Sequence, residues 1–309
     1  MTAPPRPPVS ADDLARAARL LAVRSRREAT GLFAGNYASA IRGGGLEFEE
    51  SRPYAPGDDV ACIDWNATAR TGDLFVKRFR EERNQTLLFA LDTSGSMGFG
   101  TTGRSKASTA VHALALLTAA AARAGDRTGL VAFDTALRGS VPAGRGGAHG
   151  LRVIHRAVEW GGAPGGETRL AVALHALRVD AARRAVLVLL SDFRAPDLFT
   201  PETRRALAEL GRRHDLIAIP IRDPADQELP PVGPIRIADP ERPGATRVLQ
   251  AGSRRVRRRY REEALRWSGR LERELRRRGA ETLWLCTDRS PLHTLGRFFR
   301  ERAARRVPA

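Results

Sequence analysis

The chain has 309 residues, of which 42% are hydrophobic and 28% are charged, the balance of a soluble globular protein. No apolar run approaches the ~20 residues that span a bilayer, and the N-terminus lacks the apolar core of a signal peptide, so we expect a cytoplasmic protein. The two cysteines, Cys62 and Cys286, lack the paired spacing of a zinc site, and we expect them to be buried, reduced thiols.

The net charge of +17 invites the hypothesis of a nucleic-acid partner. However, only two of the 52 basic residues, Lys77 and Lys106, are lysines. So strong a preference for arginine is as typical of a GC-rich coding bias as of a binding adaptation. Nucleic-acid binding is therefore an alternative function and not the leading one.

The first part of the chain combines one helix with several short strands. Residues 1–9 are Pro-rich and predicted to be disordered, and apolar residues at helical spacing predict a helix over about 11–28. Apolar and aromatic residues between turn formers then predict a small antiparallel β region. Its strands are predicted at 45–54, 60–69 and 74–83. We expect an N-terminal region at 1–83 and a second domain at 84–309.

From residue 86 onward, predicted strands and helices alternate. Strands are predicted at 86–91, 128–134, 137–142, 184–193, 215–221 and 281–287, with two short ones near 235–238 and 246–249. Helices are predicted near 104–124, 147–160, 169–180, 201–213, 253–278 and 291–305. Repeated βα units with apolar strands predict an α/β fold with a doubly wound, mostly parallel sheet.

The stretch LLFALDTSGSMGFG places oxygen side chains directly after an apolar strand. Asp92, Ser94 and Ser96 follow the strand at alternate positions. The carboxyl end of such a strand lies at the rim of the sheet, where open α/β folds bind ligands. One carboxylate and two hydroxyls suit Mg²⁺ or Mn²⁺ better than zinc. The alternative is a Ser/Gly loop that caps the next helix.

Two further loops carry oxygen side chains that could reach the same rim. Thr168 follows GGAPGGE, whose glycines allow a close approach of the backbone, and Ser191 and Asp192 end the second buried strand. Asp92, Ser94, Ser96, Thr168 and Asp192 would together offer five oxygen ligands from three loops.

This three-loop pattern resembles the von Willebrand factor A domain and its metal-ion-dependent adhesion site, with matching residue types at all five ligand positions. The stretch GGGLEFEESRPYAPGDDVACIDWNATARTGDLFVKRFREERN, residues 43–84, is similar to the signature of a bacterial family named domain of unknown function 58. The resemblance implies an A-like fold, a metal site in which Asp192 acts through water, and no established catalysis. It also implies a MoxR-type AAA+ ATPase as partner and a chaperone-like role. Glu167 departs from the glycine or threonine that A domains often have before the loop-two threonine.

A metal-dependent phosphohydrolase is a second alternative. However, haloacid-dehalogenase-like enzymes need a DxDxT motif, and in this chain Ser94 occupies the position of the second aspartate.

The Arg-rich helix at 253–278 has one apolar stripe, which includes Trp267 and Leu271, and its remaining faces are predicted to be solvated. They could instead bind phosphate or an acidic partner.

Overall fold

The computed structural model describes residues 11–32, 37, 40–41, 46–81, 85–181, 183–238, 241 and 244–306. The disorder predicted for 1–9 lies outside these residues, as do the ends of some predicted elements.

The elements match most of the predicted ones to within a few residues. The helices are α1 (Ala11–Leu32), α2 (Trp65–Thr71), α3 (Lys106–Ala124), α4 (Gly146–Gly161), α5 (Leu170–Asp180), α6 (Pro201–Arg213), α7 (Arg254–Arg277) and α8 (Pro291–Arg306). The strands are β1 (Leu46–Pro53), β2 (Phe75–Glu81), β3 (Thr86–Asp92), β4 (Arg127–Phe133), β5 (Leu137–Gly144), β6 (Val186–Ser191), β7 (Asp215–Arg222), β8 (Pro234–Ala238), β9 (Thr246–Gln250), β10 (Ala280–Thr282) and β11 (Leu285–Cys286).

A central, mostly parallel sheet organises the fold. Among the described residues it has seven strands in the order β10-β7-β6-β3-β4-β5, with β11 also beside β7. Only β5 runs antiparallel, as the partner of β4. The prediction of a mixed α/β fold with a mostly parallel sheet is confirmed.

Strand β3 is the middle of this sheet, and its side chains alternate between two apolar cores. Leu87, Phe89 and Leu91 pack into the core that contains α3, whereas Leu88 and Ala90 pack into the core that contains α5 and α6. A strand buried on both faces must be apolar throughout, which explains its sequence. The strand therefore holds Asp92 at a rigid point on the rim.

One predicted strand of the N-terminal region is wrong. Strands β1 and β2 form an antiparallel pair as expected, but 60–69 contains a short 3-10 turn and helix α2. The side chain of Asp64 accepts hydrogen bonds from the backbone N–H groups of Asn66 and Ala67 and so caps α2. Gly72, with φ of 81°, ends the helix in the left-handed region.

Helix α3 corrects the expectation that no apolar segment approaches the length of a membrane span. Its 19 residues have a mean hydropathy of 1.2, which is enough by length and composition. However, 78% of this segment is buried within the fold, between the sheet and helices α1, α4 and α8. Its apolar composition follows from this position in the core.

The C-terminal part differs from the prediction in smaller ways. The strand predicted at 281–287 is split into β10 and β11. The segments near 235–238 and 246–249 pair as the antiparallel hairpin β8–β9, outside the central sheet. Cys62 and Cys286 are free thiols of intermediate burial and not fully buried.

Helix α7 presents the predicted apolar stripe to the sheet. Leu271 and Leu275 are fully buried, and Trp267 packs against Trp284 with ring centroids 6.3 Å apart. Leu265 lies on the outer face and is 58% exposed. The same helix thus carries a buried and an exposed leucine.

We predict that Leu271→Ala lowers the free energy of unfolding by about 2–5 kcal/mol, because it leaves a cavity in the core. The matched change Leu265→Ala should alter it by less than about 0.5 kcal/mol. Urea denaturation curves measure both effects. Equal midpoints for the two variants would mean that the helix face is assigned wrongly.

Candidate metal centre

The three predicted loops meet at the carboxyl edge of β3 and β6. Strand β3 ends in Asp92, and β6 ends in Ser191. Backbone hydrogen bonds tie the first loop to the second: Gly95 N–H donates to Gly166 at 3.0 Å, and Gly165 N–H donates to Thr93 at 2.9 Å. Gly166 has φ of 75°, which favours glycine. These bonds fix the end of the second loop, with Thr168, beside the first.

Three hydroxyl groups converge at this point. The Oγ atoms of Ser94 and Ser96 lie 3.2 Å apart, and Thr168 Oγ1 lies 2.8 Å from Ser94 Oγ. Ser94 and Thr168 are fully buried, and Ser96 is 8% exposed. The structure therefore brings together the three hydroxyl-bearing residues of the predicted set. We call Ser94, Ser96 and Thr168 the hydroxyl cluster.

Glu241, which the sequence did not single out, also reaches the hydroxyl cluster. Thr168 Oγ1 lies 2.8 Å from Glu241 Oε1, and the Thr168 N–H lies 3.4 Å from Oε2. A hydroxyl has one proton, and a carboxylate can only accept, so Thr168 donates its proton to Glu241. The Ser94 hydroxyl is shared, because it contacts the Asp92 carboxylate as well as the hydroxyls of Thr168 and Ser96.

Asp92 is fully buried, with a hydrogen bond on each carboxylate oxygen. The Ser94 N–H donates to Oδ1 at 2.9 Å, and the hydroxyl of Ser191 donates to Oδ2 at 2.5 Å. Burial, followed by the nearby negative charge of Asp192, raises the pKa of Asp92 to about 7. Two buried carboxylates in this position favour the presence of a cation.

A lysine supplies part of that positive charge. Lys106 Nζ donates to Asp192 Oδ2 at 2.9 Å and lies 3.0 Å from Asp226 Oδ2. Burial alone would lower the pKa of Lys106, but the carboxylates of Asp192 and Asp226 outweigh it and raise that pKa. The ammonium group is therefore charged. Asp192 Oδ1 also accepts from the N–H of Arg194 at 3.0 Å, so Asp192 has partners on both oxygens.

Phe193, next to Asp192, is the one non-glycine residue with positive φ among those the structure describes. Its φ of 57° costs about 1–3 kcal/mol. Its side chain is fully buried in the core, and its N–H donates to Ser191 Oγ at 2.8 Å. This anchored turn lets the chain leave β6 with Asp192 facing Lys106.

The capping alternative for the first loop does not describe Ser94. A short 3-10 turn, Gly95–Gly98, follows Ser94, but the side chain of Ser94 makes no capping hydrogen bond to it. Helix α3 is capped instead by Ser105, whose Oγ accepts from the Ser108 N–H. The Ser94 hydroxyl belongs to the hydroxyl cluster, and binding of a metal there stays a prediction.

The oxygen spacing of the hydroxyl cluster is that of hydrogen bonds and is also compatible with Mg²⁺. Neighbouring oxygens around an octahedral ion with bonds of 2.0–2.1 Å lie about 2.9 Å apart. The two oxygen pairs of the hydroxyl cluster, at 2.8 and 3.2 Å, bracket this value. The described residues hold no group of three His, Cys, Asp or Glu side chains that could bind a metal, so the donor set is mainly neutral hydroxyls. Such a set suits a hard cation held weakly.

Three residues at this site were missed in the sequence: Lys106, Asp226 and Glu241. For Lys106 a signal was available, because it is one of two lysines among 52 basic residues. A compact ammonium fits between two carboxylates where a planar guanidinium would need more room. Asp226 and Glu241 lie in a Pro-rich segment with no pattern that connects them to the rim.

Comparison with known proteins identifies the family. The family described as "Protein of unknown function DUF58" matches residues 50–269. Uncharacterized proteins of Mycobacterium tuberculosis H37Rv and Mycobacterium bovis are each 34% identical over 290 residues, covering 94% of this chain and 90% of theirs. The chain belongs to the DUF58 family.

Solved structures similar to this DUF58 protein include conserved hypothetical protein BatB from Bacteroides thetaiotaomicron. It is 12% identical, with a TM-score of 0.45, covering 71% of this chain and 99% of that one. A von Willebrand factor type A protein from Catenulispora acidiphila is 17% identical, with a TM-score of 0.39, covering 75% of this chain and 44% of that one.

We predict that Lys106→Met destabilises the DUF58 protein by about 3–5 kcal/mol, because it leaves buried carboxylates without their counter-ion. Arg259→Met is the matched control: Arg259 pairs with Glu263 at 2.9 Å, but both side chains are exposed, so the cost should stay below about 1 kcal/mol. Urea denaturation measures both. Adding Asp192→Asn to Lys106→Met should recover part of the loss, and a double variant that is less stable still would contradict this account.

Proposed function

We propose that this DUF58 protein is a non-enzymatic module that binds another protein through Mg²⁺ or Mn²⁺. Asp92, Ser94, Ser96, Thr168 and Asp192 would hold the ion, Asp192 through water. The observation that carries this proposal is the hydroxyl cluster, three hydroxyl groups at ligand spacing beside two buried carboxylates. On this proposal the fold is doubly wound and like that of the von Willebrand factor A domain.

Bound at this site, the ion would supply a Lewis acid with an open position for an anionic ligand. The chain's own residues account for the rest. Ser191 and the Ser94 N–H hold the Asp92 carboxylate in place, while Lys106 neutralises much of the charge on Asp192. An incoming carboxylate is therefore repelled less than it would be if Asp192 had no counter-ion.

The proposed partner is a MoxR-type AAA+ ATPase, or its client, that presents an Asp or Glu side chain. Family resemblance supports the class of partner, and a net charge of +17 would steer an acidic protein towards the site. The module would then act in chaperone-like assembly or maturation of a client in the cytoplasm.

The geometry gives less support to the two alternatives. A phosphohydrolase would need an accessible nucleophile, but Asp92 is fully buried and both of its carboxylate oxygens accept hydrogen bonds. For nucleic acid, several arginines of α7 are already paired with glutamates on the same helix, as in Arg276–Glu272 at 3.0 Å and Arg259–Glu263 at 2.9 Å. Nucleic-acid binding would show a steep fall of affinity with salt.

We predict that Ser96→Ala weakens Mn²⁺ binding at least about tenfold. Loss of a residue that only hydrogen-bonds to a metal ligand already lowers metal affinity about tenfold or more, and loss of a ligand itself should lower it at least as much. Ser96 suits this test because its hydroxyl makes its hydrogen bond within the hydroxyl cluster, so the core is untouched. Ser108→Ala, at an exposed position on α3, is the control. Titration of Mn²⁺ followed by electron paramagnetic resonance measures the affinities, and equal affinities would rule out the hydroxyl cluster as the metal site.

We further predict that a MoxR-type ATPase is retained by the immobilised protein in MgCl₂ and released by EDTA. Asp92→Ala should abolish retention, since it removes a carboxylate of the site. Its folding is checked by circular dichroism, because Asp92 is buried. Retention that survives both EDTA and the substitution would place the contact on another surface.

A further inference from the structure

A cavity of about 820 Å³ adjoins the hydroxyl cluster. Ser96, Lys106, Asp192 and Glu241 are among its lining residues. Apolar side chains form much of its remaining wall: Phe99, Leu229, Pro230, Ile235 and Ile237. The candidate metal centre thus opens into a space large enough for one or two bulky apolar side chains.

Strand β8 of the hairpin β8–β9 lines part of this cavity. Most residues of both strands are exposed, and the two strands pair with each other and not with the central sheet. A two-stranded hairpin is only marginally stable by itself. Apolar side chains near the cavity are also exposed, with Phe99 at 40% and Ile237 at 38%. Burying them would stabilise a complex.

Glu241, between the two strands in the sequence, is the carboxylate that the hydroxyl cluster already binds. Its Oε1 accepts from the buried Thr168 hydroxyl at 2.8 Å. Thr168 is fully buried and does not line the cavity, whereas Glu241 and Ser96 do, so a carboxylate that enters from the cavity meets the hydroxyl cluster where Glu241 lies. Glu241 therefore has the chemistry and the place that the proposed function assigns to the partner.

We infer that Glu241 is an internal substitute for the partner's carboxylate, and that the partner binds through an acidic residue followed by large apolar residues. The acidic side chain displaces Glu241 from Thr168, and the apolar side chains enter the cavity. This inference rests on the proposed function, for which it names the recognised segment.

The net charge of the chain favours a segment of an acidic protein over a second copy of this chain. The cavity lining itself carries both signs of charge, with Lys106, Arg194 and Arg236 beside Glu167, Asp192, Asp226 and Glu241. Two copies, each with a net charge of +17, would repel one another. An acidic segment is attracted to the protein by this net charge, and its apolar residues lose contact with water in the cavity.

An internal ligand lowers the apparent affinity of the partner. The apparent dissociation constant equals the intrinsic one divided by the fraction of molecules with a free site. If Glu241 occupies the site nine-tenths of the time, its removal should strengthen binding about tenfold. Glutamine retains the shape of the side chain but loses its charge. Glu241→Gln therefore tests the competition between the Glu241 carboxylate and that of the partner without removing the side chain.

The test measures binding of the fluorescein-labelled peptide Gly-Asp-Leu-Phe-Gly to the full chain in MgCl₂ by fluorescence anisotropy. We expect Glu241→Gln to bind it about tenfold more tightly than the unaltered protein does, and Glu263→Gln, on the exposed face of α7, to bind it with unchanged affinity. Peptides with Asn for Asp, or with Gly-Ser for Leu-Phe, should bind at least tenfold more weakly.

Two matched substitutions in the hairpin test whether the peptide's apolar side chains bind in the cavity. Ile237 lines it, whereas Val248, on the partner strand, is 57% exposed and is not among its lining residues. Ile237→Ala should weaken binding of the Leu-Phe peptide severalfold, and Val248→Ala should leave it unchanged.

The outcomes separate this inference from the proposed function. Binding that depends on Mg²⁺ and on Asp but is not strengthened by Glu241→Gln would overturn the internal-ligand role alone. Equal binding of the Leu-Phe and Gly-Ser peptides would overturn the inference that apolar side chains of the partner enter the cavity. Failure of the Asp peptide to bind even Glu241→Gln, with or without EDTA, would overturn the proposed carboxylate-binding function and this inference with it.

Discussion

The arrangement of side chains at the carboxyl edge of the central sheet depends on how buried negative charge is compensated. Asp92 ends β3, Asp192 directly follows the neighbouring strand β6, and both are almost fully withdrawn from water. Desolvation of one ionised carboxylate is costly, and a second one nearby adds to the cost. Lys106 provides a fixed positive charge for Asp192 from the first turn of α3, and also contacts Asp226 beyond the end of β7. One side chain thus connects the first residue of a core helix with two loops of the rim.

The strands, and the oxygen side chains that follow them at one edge of the sheet, could be predicted because both depend on local patterns. The run from Leu87 to Leu91 is apolar at every position, which happens only when both faces of a strand are buried. In a parallel sheet such strands end on the same edge, so Asp92 and Asp192 had to lie close together once both were assigned to strand ends. The hydroxyls of Ser94 and Thr168 followed from the same argument.

The failures of prediction come from interactions that leave no local pattern. Residues 60–69 have the apolar and aromatic composition of a strand, but the capping bonds of Asp64 make most of this segment helical. Whether Asp64 caps a helix depends on backbone geometry that composition does not encode. Glu241 lies 73 positions from Thr168 in the sequence, and the hairpin that brings it there lies outside the central sheet. Contacts of this kind follow only from the complete fold.

Neutral hydroxyls and compensated carboxylates together determine what the rim can do. A site with many free carboxylates would hold a divalent cation tightly and would repel an acidic ligand. Here Asp192 is paired with Lys106, and the hydroxyl cluster contributes no charge, so a carboxylate can approach, as Glu241 does. On the inference above, the same arrangement would make Glu241 a competitor of a partner's carboxylate. Glu241 accepts the proton of the buried Thr168 hydroxyl, so a partner that displaced it would need further contacts, such as apolar ones in the cavity, to bind in its place.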